Sequence, residues 1–370
     1  MGRNRPPKDL LPKASLSSPQ RSKVCRLLAT SLNNPPTVQQ AIAAPYLHRL
    51  IGLAFRAFVL TVRVLPDWLA YAFADGLAVL LVIYTHATRR RSTRRRMGFH
   101  HNVRIAFRDQ LTGRPRCSLL WRWARHMTHM GIDTCKMPQI TSRNVHDYCD
   151  LTEIAQLREQ YDRGKGVLAV SGHVGVYEFT PHLMTLSGMA VVTIFRPSPI
   201  RPVTDVINEI RSAGGQEMTE RKGGVRQVLR ALRNKKIAGL LVDVSSKRSD
   251  IYAPFLGTPA ATNSTAGMLH VKTGAPIVVA TTQRTARRRY KLHVWDVVEG
   301  SGADPRDVEV HATAARINDA LSRAIRSYPE QWFWDSRRFR ARPEGEMPDG
   351  SGLPPQTNPD QAFTIAGSKE

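Results

Sequence analysis

Cysteine is scarce and scattered. Four occur in 370 residues, at Cys25, Cys117, Cys135 and Cys149, with no C-x-x-C pair among them. That spacing argues against a zinc ribbon or a disulfide framework and suits a reducing compartment. Acid is also in short supply: 30 Asp and Glu stand against 54 Lys and Arg, a formal net charge of +24. Such a chain is drawn to polyanions, chiefly nucleic acid or anionic lipid. The usual nucleic-acid devices are missing: no zinc-finger spacing, no aromatic platform within the basic run, no clear helix-turn-helix. No nucleic-acid partner is therefore expected. Gly164-Lys165-Gly166 lacks the Walker spacing. Ser171 does not sit in a G-x-S-x-G elbow, which argues against a serine hydrolase. No repeat of solenoid period is visible. No apolar run follows the first basic residues, so the start does not read as a secretory signal.

What is present reads as one to three domains' worth of chain with an ordinary globular body, since 42% of residues are hydrophobic. Residues 1–44 mix Pro with basic and polar residues and are expected to form a disordered basic arm. Residues 343–370, rich in Pro, Gly and acid, are expected to be a disordered tail. Between them the chain divides into a membrane-associated helical region, 45–110, and an α/β domain, 111–342.

Residues 47–64 are largely apolar, with Arg49, Arg56 and Arg63 repeating every seven positions along one helical stripe. That is the pattern of an interfacial amphipathic helix. Pro66 breaks it. Residues 68–85 are more continuously apolar but carry Asp75 inside. Crossing a bilayer takes about 20 such residues, so this segment is a borderline span. Arg89, Arg90, Arg91, Arg94, Arg95 and Arg96 follow, a flank that points to anionic headgroups on a cytoplasmic face. Attachment to an anionic membrane surface is expected, by spanning it or lying on it. The competing reading is a buried core helix followed by a solvated basic face.

From residue 150 short apolar strands alternate with helices. Strands are expected at 166–170, 190–195, 237–242, 275–282 and 290–297. Helices are expected from the first strand to about 187 and over 201–213, 224–234, 264–273 and 305–327. This alternation predicts an α/β fold, a mixed but mostly parallel sheet flanked by helices. In such sheets reacting groups stand where strands end.

The end of the first strand is the informative place, running from Ser171 through Gly172, His173 and Gly175 to Glu178. A neutral imidazole in a strand-to-helix loop can take a proton from a hydroxyl, while a carboxylate fixes its tautomer. Positions five apart do not share a helical face, so Glu178 reaches His173 only if the imidazole sits in the loop before the helix. Gly172 and Gly175 permit that bend. The plain alternative is a histidine in ordinary polar contacts.

This G-H-x-G-x-x-E segment resembles the H-x4-D/E motif of lipid acyltransferases, and specifically the bacterial lipid A biosynthesis (late, HtrB-type) acyltransferase family. Other stretches agree in order: Asn102 to Phe107, Phe195-Arg196-Pro197, Arg221-Lys222-Gly223-Gly224, Leu240 to Asp243, Pro254 to Ala260, Thr273 to Pro276, and Pro329 to Trp334 with Arg337, Arg338 and Phe339. The likeness spans roughly residues 50–342. It implies an acyltransferase-like fold with N-terminal membrane-associated helices. It also implies an enzyme that moves a fatty acyl group from an acyl thioester to a hydroxyl of a glycolipid resembling a lipid A precursor. His173 would be the general base, Glu178 its motif partner, and Asp243 a second acid that the fold brings near the imidazole. Arg196 is the candidate for binding an oxyanion or phosphate, and Arg221 and Lys222 for gripping substrate phosphates. The implied chemistry needs no metal and no cofactor beyond its co-substrate, an acyl group on acyl carrier protein or coenzyme A. The implied place is the cytoplasmic face of a bacterial inner membrane.

Other candidates are bland. His126 and His129 share a helical face without an acidic or cysteine neighbour in sequence, and read as packing. Trp332-Phe333-Trp334 reads as packing or an interfacial aromatic belt. Two functions remain open at this point: a membrane-bound O-acyltransferase, or a catalytically inactive basic protein that binds anionic lipid or nucleic acid.

Overall fold

The computed structural model describes residues 38–88, 98–221, 223–245, 251–300, 307–350 and 352–356. The basic run at 89–96, Lys222 and most of the expected N-terminal arm lie outside them.

Two long helices come first, α1 (Val38–Val64) and α2 (Asp67–Thr88). The break between them falls at Pro66, which has no N–H to continue a helix. Helix α1 starts ahead of the expected boundary and runs through Pro45, because the Gln and Ala residues before it favour helix. Among the described residues α2 is the one helix long and apolar enough to cross a membrane. It buries a narrow face, Ala70, Tyr71, Ala74 and Ala78, and exposes Trp68, Phe73, Leu80 and Ile83. Its internal Asp75 takes Arg125 Nε at 2.8 Å and His129 Nε2 at 2.7 Å. Both partners lie on α4 (Gly113–Lys136), which follows the short α3 (Phe99–Phe107). His129 thus does have an acidic neighbour, supplied by a helix 54 residues away in sequence. His126 Nε2 donates to Gly175 O at 3.2 Å, and burial pushes its pKa down to about 3.

After α5 (Val145–Tyr148) the α/β body contains, in order, β1 (Cys149–Asp150), α6 (Ile154–Asp162), β2 (Val167–Ser171), α7 (Phe179–Leu186), β3 (Val191–Phe195), α8 (Arg201–Ser212), β4 (Glu217–Glu220), α9 (Gly224–Arg233) and β5 (Ile237–Leu241). Then come the hairpin β6 (Ile251–Phe255) and β7 (Thr258–Thr262), α10 (Thr265–Thr273), β8 (Ile277–Ala286), β9 (Arg289–Val298) and α11 (Asp307–Ser327). Seven strands form one sheet in the order β1-β9-β8-β2-β5-β3-β4. It is parallel except where β8 meets β9. The expected α/β class, mixed and mostly parallel, is what the chain adopts.

Strand residues alternate between two cores. Leu168, Val170, Val192 and Ala238 pack with Val228 and Leu232 of α9 on one face. Val167, Ala169, Val191 and Ile237 pack with Met184 of α7 on the other. Phe179 and Leu183 of α7 share a core with Val206 and Ile210 of α8, and α1 packs along α8. Arg56 pairs with Glu209 there. A Cβ added to Gly52 would come within 2.3 Å of Pro202 Cβ, so the two helices meet backbone to ring.

The tail expected to be unfolded from Pro343 is laid on the body where it is described. Leu353 is buried, and Asp349 accepts from Arg108 at 3.0 Å and from Leu353 N at 3.0 Å. These contacts give that stretch of coil the partners that its composition does not advertise. Cys135 and Cys149 are free and buried, and burial pushes their thiols up to about 11 and about 12.

Candidate active site

Parallel strands β2, β5, β3 and β4 end at one edge of the sheet, and the functional side chains gather there. Ser171 closes β2 and its carbonyl accepts Val242 N at 3.0 Å, which zips the loop after β2 to the loop after β5. Gly172 sits against this junction: a Cβ there would stand 3.1 Å from Asp243 Cβ and Cγ. Gly175 turns the loop at φ +67, where a side chain would overlap Thr282 O at 2.0 Å. Only glycine fits that approach. Val176 N then donates to Thr282 O at 2.7 Å and Gly175 N to Gln331 O at 2.8 Å. His173 is therefore held in the loop ahead of α7, as the spacing argument required.

The acid that reaches the imidazole is Asp243. Its Oδ1 lies 2.8 Å from His173 Nδ1, and its Oδ2 accepts His173 N at 2.9 Å and Trp332 Nε1 at 2.9 Å. A carboxylate that accepts at Nδ1 fixes the proton there and leaves Nε2 with its lone pair. Nε2 has no hydrogen-bond partner among the described residues, and the side chain is 24% exposed while Asp243 is wholly buried. Burial pulls the imidazole pKa down. The Asp243 carboxylate more than offsets this and Glu178 adds to it, so the pKa is raised above its ordinary value. Burial likewise works against ionisation of Asp243, but His173 and the indole N–H prevail and hold its carboxyl below the usual range. Tyr177 lies edge-on to the His173 ring, centroids 4.9 Å apart.

Glu178, the acid of the motif, does not contact the imidazole. It is gripped by Arg211 from α8, with Nε to Oε2 at 2.8 Å and Nη2 to Oε1 at 2.5 Å. The expectation that Glu178 partners His173 is thus corrected: a fork-shaped guanidinium claims both oxygens, and Glu178 acts on the imidazole only through its field.

His173, Glu178, Arg211 and Arg196 all line one cavity of about 230 Å³. Its walls are otherwise mostly apolar, from Met184, Val191, Met218 and Leu241. Arg196, at the end of β3, is exposed and has no hydrogen bond or ion pair with a described residue. Arg221 lies beside it, its N donating to Phe195 O at 2.9 Å, with the side chain exposed and outside the cavity. Sequence reasoning missed Arg211, an unremarked cation in the last turn of α8. It also set aside Trp332 as packing, although its N–H finds the buried carboxylate. The chemical capacity of the arrangement is clear. A lone-pair nitrogen backed by an ionised acid faces an apolar chamber with free positive charge at its rim, which suits proton removal from a hydroxyl beside a long apolar chain.

Residues 39–341 match the family model described as bacterial lipid A biosynthesis acyltransferase. Among curated proteins, the chain is 24% identical over 205 residues to the lipid A biosynthesis palmitoleoyltransferase of Escherichia coli (strain K12) and to the lipid A biosynthesis acyltransferase of Shigella flexneri. Each match covers 55% of this chain and 65% of the relative. The lipid A biosynthesis lauroyltransferase of Escherichia coli (strain K12) is also 24% identical, over 207 residues, with the same shares. The matched stretch thus spans less than two thirds of the length of these relatives.

Proposed function

The chain belongs to the bacterial lipid A biosynthesis acyltransferase family, and from that premise we propose that it transfers a fatty acyl group from an acyl thioester to a hydroxyl of a membrane glycolipid, with His173 as general base. The observation that carries this reading is the His173–Asp243 pair, 2.8 Å long, at a largely apolar cavity, with Nε2 unpaired among the described residues.

In the proposed step Nε2 takes the proton of the acceptor hydroxyl as its oxygen attacks the thioester carbonyl. The C–O bond forms, and the carbonyl oxygen becomes an oxyanion beside Arg196. Collapse breaks the C–S bond, and the imidazolium returns its proton to the leaving thiolate. Asp243 stays ionised throughout and stabilises the imidazolium. The cavity takes the acyl chain. The donor is acyl carrier protein or coenzyme A, and the acceptor resembles a lipid A precursor. The exposed apolar faces of α1 and α2 seat the enzyme on the cytoplasmic leaflet of the inner membrane, where the basic flank meets anionic headgroups.

An inactive basic lipid-binding protein would have no use for a buried carboxylate tuned to one imidazole. His173→Ala decides between the two: transfer, followed by mass spectrometry of the acceptor, should fall by about 10²–10⁴-fold. Folding and vesicle binding should stay intact. Transfer at the wild-type rate in this variant would remove His173 from the mechanism.

A further inference from the structure

Asp243 is wholly buried and binds three N–H groups, two of them from His173 itself. The third comes from 89 residues further along the chain, the indole of Trp332. A carboxylate torsion is broad and roughly two-fold, so burial alone does not hold its plane. With both His173 N and Trp332 Nε1 on Oδ2, the group is pinned from two directions and Oδ1 is left aimed at Nδ1. Remove the indole donor and a single main-chain N–H has to resist rotation of the whole carboxylate.

The indole is itself fixed. Phe333 N donates to His173 O at 3.0 Å, and Gly175 N donates to Gln331 O at 2.8 Å, so the segment 331–333 is laced to the catalytic loop. The Gln331 amide brackets Arg284, accepting its N at 3.0 Å and donating to its carbonyl at 2.8 Å. The Trp332 ring packs against Phe255 and Trp334, with centroids 5.5 Å and 4.6 Å away. Those contacts call for an aromatic ring, which phenylalanine would also supply. They do not call for an N–H directed at the one carboxylate that faces His173.

We propose that Trp332 is a positioning residue of the reaction: its N–H locks Asp243 in the orientation that presents Oδ1 to the imidazole. This rests on the reading of His173 as general base. Loss of the indole donor frees Oδ1 to turn away from Nδ1, which weakens the contact that favours the imidazolium.

The test is Trp332→Phe in the full-length protein in detergent, read by steady-state kinetics and by NMR titration of His173. The expected result is a fall in kcat of about tenfold, the scale of one hydrogen bond to a charged group, with KM within twofold. The acid limb and the His173 titration should both move down by about half a pH unit, because the carboxylate contact that raises the imidazole pKa loosens. In an Asp243→Asn background the same substitution should leave the His173 titration where it is, because the indole acts through that carboxylate. If Trp332→Phe does not fold, benzothienylalanine at position 332 keeps the shape of the ring and lacks the N–H, and the same results are expected. A lowered melting temperature with unchanged kcat and unchanged titration would make Trp332 a packing residue and overturn the proposal. The NMR readout stands apart from turnover. Wild-type transfer in His173→Ala would therefore sink the general-base reading separately from the indole's effect on the imidazole.

Discussion

The two acids around His173 occupy opposite kinds of surroundings. Asp243 is sealed from solvent and accepts from three N–H donors, with no Arg or Lys hydrogen-bonded to its oxygens among the described residues. Glu178 stands on the cavity wall, 14% exposed, with both oxygens held by Arg211. A carboxylate bound by neutral donors keeps more of its field for the imidazole than one paired with a cation. One clasped by a guanidinium has spent most of its field before the imidazole feels it. Nearness in sequence therefore misleads: the acid five residues from His173 is paired with Arg211 on the cavity wall, while the acid 70 residues away meets Nδ1 of the imidazole.

Substitutions can separate these roles. Asp243→Asn should act most strongly, lowering kcat by about 10³–10⁴-fold, because an amide can donate to Nδ1 and move the ring proton onto Nε2. The sign of the pH effect follows from the same contact. The base works when neutral, so activity rises with pH through the His173 pKa, which the wild type holds above the ordinary imidazole value. With the carboxylate gone, burial dominates, and the acid limb should shift downward in a pH–rate profile of the residual activity.

Glu178→Gln comes next. It should cost about tenfold or less in kcat and shift the acid limb down by less than Asp243→Asn does, because only a distant charge is lost. It should also lower stability by roughly 1–3 kcal/mol, measured by denaturant unfolding, since Arg211 is left partly buried and unpaired. An effect as large as that of Asp243→Asn would erase the distinction between the two acids.

The smallest effect on chemistry should come from the apolar surface. Leu53→Ser with Leu80→Ser removes two exposed apolar side chains, and burying such a side chain contributes about 1.5–3 kcal/mol. Vesicle flotation should fall at least tenfold, while turnover of detergent-dispersed substrates and the His173 titration stay within twofold of wild type. Unchanged flotation would remove this face from membrane attachment.

The order of strands and helices was legible because apolar runs and Gly or Pro punctuate it at the observed places. Strand β4 was not, since Glu217-Met218-Thr219-Glu220 at the sheet edge has no apolar alternation to reveal it. Nor was the β6–β7 hairpin, whose strands carry Pro254 and Pro259. At the site, Gly172 and Gly175 betrayed the bend that exposes His173. The role of Asp243 came from family resemblance alone, because nothing local links it to residue 173. Arg211 gave no signal at all, and an indole N–H shows its acceptor only once the chain is folded.

The packing of α1 against α8 has a consequence for handling the protein. With Gly52 seated against the Pro202 ring there is no slack between them, and α8 also supplies the Arg211 that clamps Glu178. On the proposed membrane attachment, a shift of α1 between bilayer and micelle is expected to be passed to α8 and so to the Arg211 side of the cavity. The solubilising agent is then expected to act on the reaction centre through this contact, and rates measured in different amphiphiles should differ even at saturating substrate.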